Sequence, residues 1–586
     1  MRMAKMTPAQ HVETITAGYS FEGLAVHLGA ALVDDQVYPE AQVRLPLRMM
    51  NRHGLVAGAT GTGKTITLQL MAEQLSGHGV PVFLADIKGD LTGLSTPGTP
   101  TEKLSARTAS VGMDWSAKSF PVEYFSLGGN GVGVPIRATI SSFGPLLLSR
   151  IMELNETQES CLQLIFHYAD TKNLELYDLK DLRAVIQFLT SDEGKPELEN
   201  LGGVSKATAG VILRELVTLE AQGMGSFFGE PEFETSELLR IAPDGRGVIS
   251  ALELPTLMEK PVLFSTFMIW LLADLFSELP EVGDQEKPKL VFFLDEAHLL
   301  FRGASKAFLT SITTTVRLIR SKGVGVFFVT QTPKDVPSDV LGQLANRVQH
   351  ALRAFTPDDA KALKATISTF PTSDYDLEVA LTQAGTGEAV VTVMNEKGAP
   401  TPVAWTRMWS PESTMGPSNP ETVNTIIQGS ALLQAYGTAV DSESAFEKLN
   451  SAKQVTPTLA PDTAATQLPG VALPVPTGGS VGGRIPGAGQ SQADIDAEAR
   501  RIEESILGRP SSLPSSTPGP GATDYSMPDF EVPKATKKTS TAKKRTTPPA
   551  PAQPENPLLD MALQAANAIG SELLRGMFGT KKRKRR

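Results

Sequence analysis

Before residue 410, short apolar runs of strand length alternate with longer segments of helical spacing. The apolar runs are HGLVAG, VPVFLADI, GVISALEL, KLVFFLDE, VGVFFVTQ, RVQHALRAF and EAVVTVM. In the second of them, apolar and polar residues hardly alternate, which is typical of a strand buried on both faces. Strands that are separated by helices of this length form βαβ units, so the pattern predicts an α/β fold with a mostly parallel sheet flanked by helices.

The strand pattern is interrupted between Ser141 and about Leu239. This stretch contains LLLSRIMELNETQESCLQLIFHYA and ATAGVILRELVTLEAQ, in which apolar residues recur at helical spacing. We therefore predict a helical insertion within the α/β core.

Composition changes near residue 410. Of the 42 prolines, 20 lie between 411 and 557, together with runs such as VPTGGSVGGRIPGAG. Such segments bury too little apolar surface to offset the entropy of ordering, so we predict a largely disordered C-terminal tail. Helical spacing within it, over about 421–449 and 493–507, predicts short helices that either dock elsewhere or form transiently.

The segment GATGTGKT, from Gly58 to Thr65, follows the first apolar run and precedes a helical segment. It matches the G-x-x-x-x-G-K-[ST] pattern of phosphate-binding loops, whose glycines let several backbone N–H groups point at one anion. The start of the helix adds a positive dipole end, and the Lys64 ammonium reaches the β- and γ-phosphates. The sequence therefore predicts an ATP site formed by Gly58, Ala59, Thr60, Gly61, Thr62, Gly63, Lys64, Thr65 and Ile66.

The run KLVFFLDEAH ends in the acidic pair Asp295 and Glu296. In P-loop enzymes an Asp at this place helps to hold Mg²⁺, so we expect Asp295 and the Thr65 hydroxyl to be the metal ligands. Glu296 is placed to orient and deprotonate the attacking water. An acidic pair after a strand is often only a helix N-cap, but the phosphate-binding loop upstream favours the catalytic interpretation.

Two other strand ends carry polar side chains. VGVFFVTQT ends in Gln331 and Thr332, which either touch the γ-phosphate and couple hydrolysis to movement or bond to their own loop. ADIKGD places Asp86, Lys88 and Asp90 at the end of the second strand, where open α/β sheets bind ligands. We treat these three as candidates for groups that surround the site.

The single cysteine, Cys161, excludes an intramolecular disulfide and leaves no thiolate cluster for a structural zinc site. The N-terminus lacks the apolar run of a signal peptide, and no stretch of about 18 apolar residues could span a bilayer. These features predict a cytoplasmic protein.

The motifs GATGTGKT, ADIKGD, FFLDEAH and VGVFFVTQTPKDVPSDVLGQLANRV, in this order, resemble the HerA/FtsK superfamily of ring-forming P-loop motors. The resemblance covers about 44–394, and NRHGLVAGATGTGKT with VPVFLADIKGDLTGLS is similar to a bacterial family of HerA-like ATPases. It implies a RecA-like P-loop core, with ATP and Mg²⁺ as ligands and ATP hydrolysis as the reaction. DEAH alone is typical of another superfamily of helicases, but VTQT and the lack of a second RecA-like domain after residue 410 argue against it.

Members of the HerA/FtsK superfamily typically form homo-hexamers with ATP between subunits, so the resemblance implies an arginine supplied by the neighbour. By position the candidates are Arg320 and Arg347, with Arg317 and Arg353 less favoured, and each could instead be an ordinary surface or salt-bridging arginine. HerA carries a β-barrel before its loop, whereas 57 residues precede Gly58 here. We therefore do not expect a complete barrel.

Together the pattern and the resemblance predict six segments. They are a short β-rich N-terminal segment (1–50), the first part of the P-loop ATPase core (51–140), the helical insertion (141–240), the second part of the core (241–410), a Pro/Gly/Ser-rich tether with short helices (411–556) and a basic amphipathic C-terminal helix and tail (557–586).

Charge is distributed unevenly along the chain. Residues 534–586 carry 13 Lys and Arg against 3 Asp and Glu, and the remainder carries 41 against 61. An acidic body is not the footprint of a DNA-coated surface, although a ring can carry positive charge in its bore. The basic C-terminal end could contact DNA, an anionic membrane or an acidic partner, or could simply be a solvated charge run.

Three functions are consistent with the sequence. The leading hypothesis is a hexameric ATPase that translocates along, or remodels, double-stranded DNA. The alternatives are a transport or assembly ATPase similar to the motors of type IV secretion systems, and a slow regulatory nucleotide switch without a DNA substrate.

Overall fold

Twelve strands form one mixed sheet in the part of the chain that the computed structural model describes, which is 6–200, 205–254, 261–283, 285–302 and 306–454. The strands are β1 (Ala25–Val33), β2 (Gln36–Pro46), β3 (Gly54–Ala57), β4 (Val82–Asp86), β5 (Val122–Leu127), β6 (Val134–Ile136), β7 (Ile249–Glu253), β8 (Leu290–Leu294), β9 (Val324–Thr330), β10 (Asn346–His350), β11 (Glu388–Thr392) and β12 (Ala404–Met408).

The sheet has the strand order β2-β1-β12-β11-β10-β3-β9-β8-β4-β7-β5-β6. Neighbouring strands from β10 to β6 pair in parallel, and those from β2 to β10 pair antiparallel. Helices cover the sheet, and β3, β4, β7, β8 and β9 are buried at every residue. This burial explains their nearly continuous apolar sequences. The mostly parallel sheet flanked by helices confirms the predicted α/β fold class.

The helices account for most of the remaining described residues. They are α1 (Pro8–Gly18), α2 (Lys64–Gly77), α3 (Glu102–Ser110), α4 (Ile140–Ile151), α5 (Glu156–Lys172), α6 (Leu179–Thr190), α7 (Lys195–Asn200), α8 (Lys206–Ala221), α9 (Pro261–Glu278), α10 (His298–Phe301), α11 (Lys306–Ile319), α12 (Ser338–Leu341), α13 (Pro357–Ile367), α14 (Leu377–Gln383), α15 (Pro420–Gln428), α16 (Ala431–Tyr436) and α17 (Ala445–Gln454).

The predicted helical insertion is present between β6 and β7, where α4 to α8 follow one another. Its helices begin at strong caps, because the Asn155 and Asp178 side chains accept hydrogen bonds from backbone N–H groups of α5 and α6. Their apolar faces share one hydrophobic core with α9 and with one side of the sheet. The insertion is therefore packed onto the core.

The N-terminal segment adds two antiparallel strands, β1 and β2, to the edge of the same sheet through β12. Helix α1 begins with a capping box between Thr7 and Gln10 and packs against both strands. Before β3 the structure therefore has an extension of the sheet and not a closed barrel in residues 6–53.

Residues 411–454 pack against the core, so the folded part extends past the change of composition at residue 410. The helical spacing predicted over 421–449 corresponds to α15, α16 and α17, and Val423, Ile427, Leu432 and Tyr436 on them are buried. The predicted end of the core at residue 410 is therefore too early, because it was based on proline content and not on these apolar side chains. The predicted helix at 493–507 and the basic end at 557–586 lie outside the described residues.

Residues 411–418, which we name the C-terminal strap, cross the middle of α2. The buried Glu73 carboxylate on α2 accepts hydrogen bonds from the backbone N–H groups of Glu412 at 2.8 Å and Ser413 at 3.0 Å. Gln69 Nε2, one turn earlier, donates to Ser413 Oγ at 2.6 Å and to the Thr414 carbonyl oxygen at 2.9 Å. Burial raises the pKa of Glu73 to about 7, although the strap N–H groups oppose this shift.

We predict that Glu73→Ala lowers the free energy of unfolding by about 1–3 kcal/mol, because one buried and one partly buried N–H group lose their acceptor. The folded pKa of about 7 lies above the ordinary value of 4.5. The contribution of Glu73 is therefore complete below pH 4.5 and is lost as the pH rises through 7. Thermal or urea unfolding should show a larger gap between the two proteins at pH 5 than at pH 8. Glu13→Ala, on the exposed side of α1, is the control, and an equal loss in both variants would contradict this role of the strap.

Candidate nucleotide site

Four neighbouring parallel strands end at one edge of the sheet, in the order β3, β9, β8, β4. The predicted phosphate-binding loop follows β3, Gln331 follows β9, Asp295 and Glu296 follow β8, and Asp86 ends β4. The carboxyl ends of parallel strands are where α/β sheets bind ligands. The fold thus brings these predicted site residues to a common edge.

The loop from Gly58 to Thr65 is curled tightly between β3 and α2. Gly63 has φ 115°, and a side chain on Gly58 would come within 2.5 Å of the His350 Cβ atom, so both positions favour glycine. Neighbouring strands fix the loop, because Gly58 N donates to the Thr330 carbonyl oxygen at 3.2 Å. Helix α2 begins at Lys64, so its free N–H groups and positive dipole end face this loop.

Lys64 reaches back across the loop, and its Nζ atom donates to the Ala59 carbonyl oxygen at 3.3 Å. The residue is buried, and desolvation lowers its pKa, while the charges of Glu296 and Asp295 oppose this shift. The ammonium therefore lies within electrostatic reach of both carboxylates that follow β8.

The two carboxylates after β8 have different environments. Asp295 is almost completely buried, and desolvation raises its pKa to about 6. Glu296 has a left-handed backbone conformation with φ 45°, which is uncommon for a residue with a side chain. Burial alone would raise the pKa of Glu296, but its hydrogen bond and ion pair with Lys88 outweigh burial and hold the pKa below its ordinary value. Glu296 is therefore ionised at neutral pH.

The turn after β4 is organised by the carboxylate of Asp86, whose residue is fully buried. Its Oδ1 atom accepts from the backbone N–H groups of Lys88 at 3.1 Å and Gly89 at 2.8 Å, and Oδ2 accepts from that of Leu91 at 2.7 Å. The turn presents the Lys88 ammonium to Glu296, with Nζ to Oε1 at 2.6 Å. Asp90 lies half-buried in the same turn.

A cavity of about 320 Å³ borders the first half of the loop. Gln331 and Thr332 from the end of β9 and Arg353 beyond the end of β10 contribute to its lining. Thr332 also caps a short turn, since its backbone N–H donates to Asp335 Oδ2 at 3.2 Å. The complete lining is Ala59, Thr60, Gln331, Thr332, Lys334, Leu352, Arg353, Asp359, Ala362 and Leu363.

Neither of the two favoured arginines lines the cavity beside the loop of its own chain. Arg320 is exposed just before β9, at the edge of the sheet opposite the loop. Arg347 is on β10, and its guanidinium donates to Thr369 Oγ1 at the end of α13. The less favoured Arg353 is the one that lines the cavity beside Thr60.

The Thr65 hydroxyl and the Asp295 carboxylate are oxygen donors of the kind that Mg²⁺ prefers. Magnesium is usually held by one or two carboxylates together with substrate phosphates, so this small donor set fits it. The raised pKa of Asp295 indicates a buried carboxylate that a divalent cation would stabilise in its charged form. Within the described ranges no cluster of three His, Cys, Asp or Glu side chains forms a separate metal cage.

Sequence reasoning did not find His350, which lies beneath the loop. One ring nitrogen is 2.9 Å from Thr67 Oγ1 on α2, and the other is 2.8 Å from the Glu388 carbonyl oxygen at the start of β11. Burial lowers the pKa of His350 to about 4, so the ring is neutral at pH 7. Its two contacts connect α2 to β11. The residue is the last of β10, and no motif in the sequence marks it.

The sequence model of the family described as "Helicase HerA-like C-terminal" matches residues 32–485. The chain belongs to this family. The match includes the loop, Lys88, both carboxylates and Gln331, so the resemblance to HerA-type P-loop ATPases is confirmed. In a comparison with curated protein sequences, none matched this HerA-like chain.

Among solved structures, this HerA-like chain is similar to the bacterial conjugative coupling protein TrwB. A form with sulphate has 14% identity and a TM-score of 0.46, covering 71% of this chain and 95% of that chain. A complex with ADP and Mg²⁺ has 14% identity and a TM-score of 0.45, covering 68% and 98%. VirB4 of Thermoanaerobacter pseudethanolicus has 13% identity and a TM-score of 0.38, covering 69% and 98%.

Proposed function

We propose that this HerA-like chain hydrolyses ATP with Mg²⁺ and works as a homo-hexameric motor on double-stranded DNA. The observation that carries the ATPase proposal is the meeting of the phosphate-binding loop, Asp295 and Glu296 at one edge of the sheet. A loop alone would support only nucleotide binding. Two buried carboxylates beside it, of which Glu296 has a lowered pKa, add the groups that hydrolysis needs.

Each side chain has one task in this proposal. The backbone N–H groups from Gly58 to Ile66 cradle the phosphates, and Lys64 exchanges its contact with the Ala59 carbonyl for the β- and γ-phosphates. Thr65 and Asp295 hold Mg²⁺, which supplies positive charge that neutralises the phosphates when it is bound. Gln331 contacts the γ-phosphate or the water from the end of β9.

Glu296 is the general base of the proposed reaction. It orients a water molecule whose oxygen bonds to the γ-phosphorus, while the bond from this phosphorus to the β,γ-bridging oxygen breaks. One proton passes from the water to the Glu296 carboxylate, and the electron pair of the broken bond stays with ADP. The lowered pKa of Glu296 keeps the carboxylate ionised and ready to accept that proton.

We predict that Glu296→Gln binds ATP normally and hydrolyses it at least about a hundredfold more slowly, because the amide cannot accept the proton. Steady-state turnover and nucleotide titrations would measure the two effects. Glu13→Gln, at an exposed position of α1, is the control and should behave as the wild type. Normal turnover in Glu296→Gln would remove Glu296 from this role.

The proposed ring places an arginine of one subunit at the ATP site of the next. Arg320 is our first candidate because it is exposed at the surface and lies at the edge of the sheet opposite its own loop. An arginine at the opposite edge from its own loop cannot complete the site in the same subunit. It can do so only across an interface.

We predict that mixing Arg320→Ala and Lys64→Ala restores part of the activity that each variant has lost. In mixed rings, a subunit with an intact Lys64 can receive Arg320 from a Lys64→Ala neighbour. ATP turnover against mixing ratio is the measurement. A mixture of Lys64→Ala and Glu296→Gln is the control, since no site in it is complete. If the first mixture is no more active than the control, Arg320 does not act in trans.

The DNA part of the proposal is supported by the family description, which names a helicase. We predict that duplex DNA raises the rate of ATP turnover and that this stimulation falls steeply between about 50 and 200 mM salt, because phosphate contacts release counterions. Single-stranded DNA and RNA are the comparison substrates. Equal turnover with and without each nucleic acid would contradict a DNA motor and favour a transport ATPase or a nucleotide switch.

A further inference from the structure

Lys88 is the one cation in the described residues that directly contacts the proposed general base. Its Nζ atom lies 2.6 Å from Glu296 Oε1, which is a short, charge-assisted hydrogen bond. The second carboxylate oxygen, Oε2, is buried and accepts no hydrogen bond from the described residues. The Nδ1 atom of His298 approaches it at 3.2 Å without hydrogen-bond geometry. One oxygen of Glu296 is thus held by Lys88, and the other is buried without a hydrogen-bond partner among the described residues.

A positioned general base needs one carboxylate oxygen fixed by a partner and the other left unpaired, so that it can accept a proton. A free glutamate side chain has several rotamers, and the reacting atoms of a base must lie within about 3 Å of the water that it deprotonates. Catalytic bases are commonly oriented by a third group that binds the atom not used for proton transfer. Lys88 occupies this place, and Oε2 is left to accept the proton.

The position of Lys88 is itself fixed by the fold. Its backbone lies in the turn that Asp86 organises through three N–H hydrogen bonds. Strands β4 and β8 are neighbours in the sheet, so this turn lies beside Glu296 on the side away from β9 and β3. Lys64, at the start of α2, approaches Glu296 from the side of the phosphate-binding loop. We therefore assign Lys64 to the phosphates and Lys88 to Glu296.

We propose that Lys88 is a positioning residue for hydrolysis, which orients Glu296 through Oε1 so that Oε2 faces the attacking water. This inference rests on the ATPase function proposed above. Lys88 acts through Glu296 and not on the phosphates, so its loss should affect the chemical step and leave nucleotide binding intact.

The test is Lys88→Met, which keeps the length of the side chain and removes the charge. We expect kcat to fall about 10- to 100-fold, as for a misplaced catalytic group, with KM and the ATP dissociation constant within about twofold of wild type. Lys88→Arg, which keeps a donor and a charge, should recover part of the lost turnover. Lys172→Met is the matched control, since Lys172 is 43% exposed and pairs with Glu197 at 2.9 Å, compared with 41% and 2.6 Å for Lys88.

A double-mutant cycle separates positioning from a structural effect. If Lys88 acts only through Glu296, adding Lys88→Met to Glu296→Gln should slow the reaction by no more than about twofold. An equal drop in both backgrounds, or unchanged turnover in Lys88→Met, would overturn the proposal. A tenfold weaker affinity for ATP would also overturn it and place Lys88 on the nucleotide. If the wild type hydrolyses ATP and only these results fail, the ATPase function stands, whereas a wild type without hydrolysis removes both.

Discussion

Electrostatic attraction between two lysines and two buried carboxylates holds the candidate site together at one edge of the sheet. Lys64 is the first residue of α2, Lys88 lies in the turn after β4, and Asp295 and Glu296 follow β8. An isolated buried charge costs several kcal/mol, but each of these groups lies within electrostatic reach of an opposite charge. Each lysine interacts with both carboxylates, so removing one charge weakens the compensation of the others without abolishing it.

Much of this fold could be predicted from the sequence because its signals are local. Buried parallel strands give apolar runs, the insertion gives helical spacing, and a phosphate-binding loop needs Gly58, Gly63 and Lys64 at a set spacing. The contact between Lys88 and Glu296 could not be predicted in this way. The two residues lie 208 positions apart, and they meet only because β8 inserts between β9 and β4 in the sheet.

The packing of residues 411–454 against the core also could not be predicted from local sequence signals. A high proline and glycine content predicts poor burial on average, but it carries no information about hydrogen bonds to distant residues. Residues 411–418 are held to α2 by Glu73 and Gln69, both far earlier in the chain. The only sign of this contact in the sequence is Glu73, a glutamate among apolar residues in the middle of a helical segment. A buried carboxylate needs hydrogen-bond partners, but the sequence does not show which residues these are.

The strap and the ion pair of Lys88 meet at the turn after β4. Asp86 holds Lys88, Gly89 and Leu91 through their N–H groups, and Thr92 follows directly. The Thr92 hydroxyl accepts from the Ser418 N–H at 3.0 Å, and its carbonyl oxygen accepts from Ser418 Oγ at 2.9 Å. Beyond the strap, α17 packs against α6 of the insertion. The hydrogen bonds of Thr92 and Asp86 therefore form one continuous set of contacts from the end of the strap to the turn that carries Lys88.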